Sequence, residues 1–67
     1  MDYSLEVEQE TDGRWIADVP DLPGVMAYGS TPDEAMRKAE MLALRVLADR
    51  LEHSEAKAHT IRLIVAA

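Results

Sequence analysis

Acidic side chains spaced two residues apart are the feature of this sequence with the clearest chemical potential. Glu6, Glu8 and Glu10 alternate with other residues near the start of the chain, and Asp18 and Asp21 follow shortly afterwards. Carboxylates that converge on one surface can bind metal ions or attract a basic partner. Which role applies depends on how strands and loops place these side chains.

The charge of the chain is concentrated in its first half. Residues 1–34 carry nine acidic side chains against one basic side chain, whereas residues 35–67 carry four against six, for a net charge of −6. An acidic half repels phosphate, so we expect no direct nucleic-acid binding. It would speed association with a basic partner. The alternative, that the acids only keep a small domain soluble, remains open.

The size of the chain limits how it can be stabilised. Its 67 residues suffice for one domain, and the absence of cysteine excludes disulfides and thiolate metal sites. So small a core is marginal alone, which favours self-association as a homodimer or homotetramer. No apolar run approaches the roughly 20 residues of a membrane span, and no leader pattern precedes the first strand. We expect a cytoplasmic protein that does not bind membranes.

Alternating apolar residues predict two strands: Tyr3, Leu5 and Val7 in the first, and Trp15, Ala17 and Val19 in the second, which extends from about residue 14 to 19. A two-residue hairpin loop would place the acids on the apolar face, because a one-residue slip exchanges the faces. We therefore predict a three-residue loop, Asp12–Arg14. That loop sets Val7 opposite Val19 and places Glu8 on the outer face with Asp18.

Two prolines define the segment after the second strand. Pro20 and Pro23 lack the N–H that a sheet ladder needs, so the strand ends before them. Pro23 and Gly24 suit the central positions of a type II turn. Leu22 lies between the prolines and is predicted to pack onto the domain. The short apolar segment 25–28 is predicted to return as a third strand.

A capping pattern predicts one helix. Thr31 is a favourable N-cap, Pro32 suits the first helical position, and Glu34 completes a capping box. The apolar stripe then continues to about residue 53: Ala35, Met36, Ala39, Leu42, Ala43, Val46, Leu47 and Leu51. A last strand is predicted for residues 60–65. These elements predict an α+β fold in the order β-β-β-α-β. Its antiparallel meander and one parallel strand form a sheet of order 3-2-1-4, with the helix on one face.

The large aromatic and sulfur-containing side chains allow two interpretations. Trp15 either anchors an interface or closes the rim of the core, and the sequence does not decide between these roles. Tyr28 is predicted to lie in the core. The methionines Met26, Met36 and Met41 are predicted to fill gaps there.

Several motifs together resemble the HicB antitoxin family. They are Asp12-Gly13, Trp15-Ile16-Ala17, the loop Val19-Pro20-Asp21-Leu22-Pro23-Gly24, and Gly29 to Ala35. The resemblance covers about residues 3–47 and implies a truncated ribonuclease-H-like fold. It also implies a partner, because HicB binds and covers HicA, a small basic toxin that cleaves RNA. Many HicB proteins continue into a DNA-binding segment, whereas we expect a single domain over residues 1–67 without one.

A ribonuclease-H-like outline raises the question of catalysis, which we do not expect. Two-metal nucleases need carboxylates from several elements. The helix offers Glu40, but the predicted last strand offers only Thr60 and Arg62. The histidines His53 and His59 are too few for a zinc site without cysteine. We therefore predict no enzyme activity, no metal and no cofactor.

The sequence thus predicts a protein-binding module of the HicB type that neutralises a small basic HicA-type toxin. The alternative is an orphan homo-oligomeric structural domain without a toxin partner. The predicted partner-binding residues are Glu6, Glu8, Glu10, Trp15, Asp18, Asp21 and Leu22. The acids would supply charge complementarity, and Asp21 and Leu22 would insert near the toxin active site. The structural motif residues are Pro20, Pro23, Gly24, Thr31 and Glu34.

Overall fold

The computed structural model describes residues 2–53 and 62–66. Its elements are β1 (Asp2–Gln9), β2 (Trp15–Asp18), β3 (Met26–Gly29), α1 (Pro32–Glu52) and β4 (Arg62–Ala66). The strand order is β3-β2-β1-β4; the first three strands are antiparallel, and β4 is parallel to β1. The predicted α+β class, element order and sheet order are confirmed. Residues 60 and 61 of the predicted last strand lie outside the described residues.

The β1–β2 hairpin has a three-residue loop, as predicted, but the loop lies one residue earlier. The N–H of Glu10 donates to Arg14 O at 2.7 Å, and the N–H of Gly13 donates to Glu10 O at 3.0 Å. The loop is therefore residues 11–13, and Val7 lies opposite Ala17 rather than Val19. Gly13 has a φ of 93°. The third loop residue of such a hairpin adopts positive φ, and only glycine does so without strain.

Two consecutive turns form the Val19–Val25 loop. The N–H of Leu22 donates to Val19 O at 2.9 Å, and the N–H of Val25 donates to Leu22 O at 3.1 Å. The second turn contains Pro23 and Gly24, whose φ of 83° confirms the predicted type II geometry. The N–H of Val19 closes the loop by donating to Val25 O at 3.0 Å. The backbone thereby directs the Leu22 side chain into the core.

Helix α1 begins at the predicted cap. Thr31 Oγ1 accepts from the N–H of Glu34 at 3.1 Å. The Glu34 carboxylate accepts from the N–H of Ser30 at 3.4 Å and from Lys38 Nζ at 3.2 Å. In a standard capping box this carboxylate would accept from the N–H of the N-cap itself, Thr31. Here it accepts from the N–H of Ser30, the residue before the N-cap. The hydrogen bond from Lys38 is the main cause that lowers the pKa of Glu34 below its usual value.

Small residues let α1 lie close to the sheet. Its buried residues are Ala35, Ala39, Ala43 and Leu47. Gly29 ends β3 directly under the first helical turn, where an added Cβ would come within 2.6 Å of Ala35 N. The core contains the buried residues Tyr3, Leu5, Ala17, Val19, Leu22, Val25, Ala35, Ala39, Ala43 and Leu47. The prediction that Met41 lies in the core is wrong, because its side chain is exposed on the outer side of α1.

Candidate functional site

The sheet has one face covered by α1 and one open face. The register places on the open face Asp2, Ser4, Glu6, Glu8, Ile16, Asp18, Met26, Tyr28, Arg62 and Ile64. Successive side chains of a strand point to opposite sides, so the neighbouring core residues point towards the helix. The predicted outward placement of Glu8 with Asp18 is therefore correct, despite the two-residue shift in the exact pairing.

An acidic cluster, Glu6, Glu8 and Asp18, lies at the centre of the open face. Glu6 is directly opposite Asp18 across the β1–β2 pair, and Glu8 is diagonal to Asp18. The three side chains, together with Val7, line a shallow depression. Directly opposed side chains have Cβ atoms about 5 Å apart, so two carboxylates in these positions repel each other.

No described cation neutralises the acidic cluster. The ion pairs within residues 2–53 and 62–66 use other carboxylates: Arg14–Asp12, Arg37–Asp33, Lys38–Glu34, His53–Asp49 and Arg62–Asp2. Like charges directly opposite each other destabilise a sheet by a few tenths of a kcal/mol to about 1 kcal/mol. A partner with a basic surface would remove this repulsion, so the cluster is suited to bind a cationic group.

Apolar side chains lie beside the acidic cluster on the β3 side of the open face. Ile16 is opposite Tyr28, and Met26 is opposite Asp18. Met26 is 49% exposed and Tyr28 is 41% exposed. The predictions that these two residues lie in the core are wrong, because the register turns both to the open face. Val25, which is buried, and Ala27, which is partly buried, take the inward positions, although all four residues are apolar or aromatic.

The hairpin tip is fixed against this apolar margin. Arg14 Nε donates to Asp12 Oδ2 at 2.7 Å. The Arg14 guanidinium carbon also lies 4.5 Å from the centroid of the Tyr28 ring, a cation–π contact between the tip and β3. The backbone N–H of Arg14 donates to Asp12 Oδ1 at 3.0 Å, and this bond is the main cause that lowers the pKa of Asp12. The positive charge of Arg14 is therefore engaged at the tip.

The structure brings only some of the predicted partner-binding residues together. Glu10 lies one residue beyond β1, where its backbone closes the hairpin, and Asp21 is exposed in the Val19–Val25 loop. Trp15 lies on the helix side of the sheet, half-buried against the core, and does not share a face with the acidic cluster. Leu22 is corrected as well: its side chain is 1% exposed and cannot insert into a partner.

The loop nevertheless adjoins the acidic cluster. A small depression is lined by Asp18 and Met26 together with loop residues that include Pro20, Pro23 and Gly24. Three of the predicted motif residues, Pro20, Pro23 and Gly24, therefore lie beside Asp18 and Met26. Sequence reasoning missed Met26, Tyr28 and Ile16 as members of the open face. Alternation with Trp15 and Ala17 could have placed Ile16 there, whereas Met26 and Tyr28 could be placed only from the pairing of β3 with β2.

Residues 2–53 and 62–66 form neither a metal site nor a membrane span. No group of three or more His, Asp or Glu side chains there is arranged to hold a metal ion. Nor does any helix in that part of the chain combine the length and apolar character that a bilayer span requires.

One solved structure has a similar fold. It is the N-terminal domain of the antitoxin HicB from Burkholderia pseudomallei, which matches with a TM-score of 0.71 at 24% sequence identity. The match covers 85% of this chain and 67% of that one. This chain has the fold of a HicB N-terminal domain. The resemblance in the sequence motifs is thus confirmed for the fold, and the matching domain comes from an antitoxin rather than an enzyme. No family model and no curated protein matches the sequence.

Proposed function

We propose that this chain is an antitoxin-like module that binds a small basic RNA-cleaving toxin of the HicA type and covers its active site. The observation that carries the proposal is the acidic cluster, in which Glu6 and Asp18 oppose each other without a described counter-ion. The HicB fold and the sequence motifs support the same partner class. The role is steric and electrostatic, so the chain itself has no catalytic step.

The chemistry of the open face specifies the complementary surface. Carboxylates on β1 and β2 accept hydrogen bonds from arginine or lysine, while Ile16, Met26 and Tyr28 offer an adjoining apolar area. Interfaces commonly combine a central apolar area with charged residues that guide encounter and set the orientation. The partner should therefore present cationic groups beside an apolar patch. An RNA-cleaving protein has the cationic part, because its substrate is a polyanion.

The experiment compares two triple variants with the same change of charge. Glu6→Gln, Glu8→Gln and Asp18→Asn neutralise the acidic cluster. Glu40→Gln, Asp49→Asn and Glu52→Gln neutralise three exposed acids of α1, and both variants change the formal net charge from −6 to −3. A purified HicA-type toxin is titrated with each protein, and affinity and RNA cleavage are measured at several salt concentrations.

Neutralising the acidic cluster should weaken binding by about a hundredfold, if each lost charged contact contributes about 1 kcal/mol. It should also flatten the salt dependence, whereas the helix variant should stay within a few-fold of the original protein. Equal losses of toxin affinity in both variants would mean that binding depends on the net charge of the chain and not on the position of the acids. Full toxin activity at a saturating amount of the unmodified chain would refute the proposal.

A further inference from the structure

The tip of the β1–β2 hairpin contains the only aspartate in the chain that is followed by glycine, Asp12-Gly13. In such a pair the backbone nitrogen of the glycine can attack the carboxyl carbon of the aspartate side chain and close a five-membered ring, because glycine has no side chain in the way. Both residues are exposed, and a Cβ added to Gly13 would meet no heavy atom within 4 Å beyond its chain neighbours. The surrounding structure therefore does not shield this bond sterically.

The fold restrains the two reacting groups through hydrogen bonds instead. The Asp12 carboxylate accepts from the backbone N–H of Arg14 at Oδ1, at 3.0 Å, and from Arg14 Nε at Oδ2, at 2.7 Å. Both oxygens are thus engaged in the ionised form, which cannot lose water as a neutral carboxyl group does when it is attacked. The N–H of Gly13 donates to Glu10 O at 3.0 Å, and this bond holds the attacking nitrogen in its loop position.

We propose that Asp12-Gly13 is a site of isoaspartate formation, and that Arg14 is the positioning residue that suppresses this rearrangement in the folded chain. In the reaction the nitrogen of Gly13 forms a bond to Cγ of Asp12 and loses its proton, and a carboxyl oxygen leaves as water, which gives a cyclic imide. Water then adds to one of the two imide carbonyls and reopens the ring. Opening at Cγ restores aspartate, whereas opening at the backbone carbonyl carbon leaves the chain linked through the side-chain carboxyl group, as a β-linked residue. The water lost in the first step returns in the second, so no other reactant is needed.

Contacts with neighbouring strands hold Arg14 in this position. Its guanidinium carbon lies 4.5 Å from the centroid of the Tyr28 ring in β3, a cation–π contact. Its carbonyl oxygen accepts from the N–H of Glu10 at the end of β1, at 2.7 Å, so its backbone is fixed as well. Both contacts exist only when the hairpin is folded against β3. The suppression therefore depends on the folded hairpin and not on the sequence of the tip alone.

A β-linked residue would not fit the hairpin that now surrounds this bond. Two hydrogen bonds close the three-residue loop 11–13, one from the N–H of Glu10 to Arg14 O and one from the N–H of Gly13 to Glu10 O. The rearrangement adds one backbone carbon to this loop and attaches the free carboxylate directly to Cα. The closing bonds and the contact of the carboxylate with Arg14 then lose their geometry. Formation of the product should therefore loosen the tip and free the Arg14 side chain from its acceptor.

The first test follows isoaspartate formation in the full chain during long incubation at neutral pH. Samples are digested, and tandem mass spectrometry with electron-transfer fragmentation quantifies the β-linked residue at position 12. Arg14→Gln should accumulate it several-fold faster than the original chain. Arg37→Gln, which removes an exposed arginine that pairs with Asp33, is the matched control and should leave the rate unchanged. Equal rates for Arg14→Gln and the original chain would overturn the proposal, as would equally fast formation at Asp21, which is exposed in a loop but precedes Leu22.

A second test separates positioning by Arg14 from a general loosening of the hairpin. Tyr28→Leu removes the cation–π contact and keeps both Asp12 and Arg14, and it should also raise the rate, though less than Arg14→Gln does. Amide hydrogen exchange at Glu10 and Gly13 reports whether the hairpin stays closed in each variant. A faster rate with both amides still protected supports positioning by Arg14, whereas a rate that rises only when they lose protection refutes it.

Unfolding the chain provides the last comparison. In concentrated urea the original chain should rearrange as fast as Arg14→Gln, because unfolding releases Arg14 from Asp12. A difference between the two chains that persists in urea would assign the effect to the local sequence and would contradict the role of the folded hairpin.

Discussion

Leu22→Ala separates the mechanical role of the Val19–Val25 loop from a role in partner contact. Leu22 is one of the three largest fully buried side chains, and it packs in the same core cluster as Val19 and Val25. The hydrogen bond between Val19 and Val25 closes the loop, so the backbone cannot readily collapse into the space that the shorter side chain leaves. The substitution should therefore create a persistent cavity.

The expected loss is large for a domain of this size. Leucine-to-alanine changes in a core destabilise by about 2–5 kcal/mol, with the larger values where the site cannot relax. A chain of 67 residues is expected to have a total stability of about 3–10 kcal/mol. A loss near 3 kcal/mol would lower Tm by about 12–24 °C. The variant should thus be close to its unfolding transition at ordinary temperature.

Urea denaturation followed by the fluorescence of Trp15 measures this loss, because Trp15 is the only tryptophan and packs against the core. Two controls isolate the cause. Asp21→Asn changes the exposed loop neighbour, and Met26→Ala shortens an exposed side chain; each should alter stability by less than about 0.5 kcal/mol. If Leu22→Ala lowered stability by less than about 1 kcal/mol while abolishing partner binding, the assignment of Leu22 to the core would be refuted.

Three further substitutions test other parts of the structure. Gly29→Ala should destabilise by about 1–3 kcal/mol in thermal unfolding, because the new Cβ would lie 2.6 Å from the backbone N of Ala35. Asp18→Asn should raise Tm by about 2–4 °C at low salt, since it relieves the repulsion from Glu6, and the gain should shrink as salt is added. Glu34→Gln should reduce the acid sensitivity of folding: the folded-state pKa of Glu34 is lowered, so its contribution is present above the usual value of 4.5 and is lost as pH falls through the lower folded-state pKa.

One control serves the two acidic substitutions. Glu40→Gln removes an exposed carboxylate of α1 that takes part in no ion pair among the described residues. Its Tm should respond little to salt, and its unfolding should keep the original pH profile. A salt response equal to that of Asp18→Asn would assign the effect to net charge. An unchanged Tm of Gly29→Ala would show that α1 can move away from β3 without loss of stability.

The sequence correctly predicted those features that depend only on residues close together in the chain. The N-cap at Thr31 and the type II turn at Pro23-Gly24 depend only on neighbouring residues, and both occur where predicted. The hairpin loop was placed one residue too late, although the glycine itself contained the missing information. A three-residue loop ends on the residue with positive φ, which makes Gly13 its last member.

The sequence was less informative where a segment is apolar at successive positions. Residues 25–28 are all apolar or aromatic, so hydrophobicity alone does not say which pair faces the core. The pairing of β3 with β2 decides it: Val25 lies opposite Val19 and turns inward, and this places Met26 and Tyr28 on the open face. Gly29 belongs to the Gly29–Ala35 motif. A glycine is needed there because the backbone of Ala35 lies close to it, and not because the chain turns at this position.

The arrangement of the open face links the fold to the proposed function. The inward residues of β1 and β2 must be apolar because they pack against α1. The alternating outward positions do not have this requirement and can hold other residue types. This chain uses four of them for carboxylates, Asp2, Glu6, Glu8 and Asp18, and accepts a like-charge pair at Glu6 and Asp18. A face selected for solubility alone would gain from interspersed opposite charges, which remove such repulsion. The pair is therefore better explained by a cationic surface that neutralises it in a complex than by the stability of the free domain.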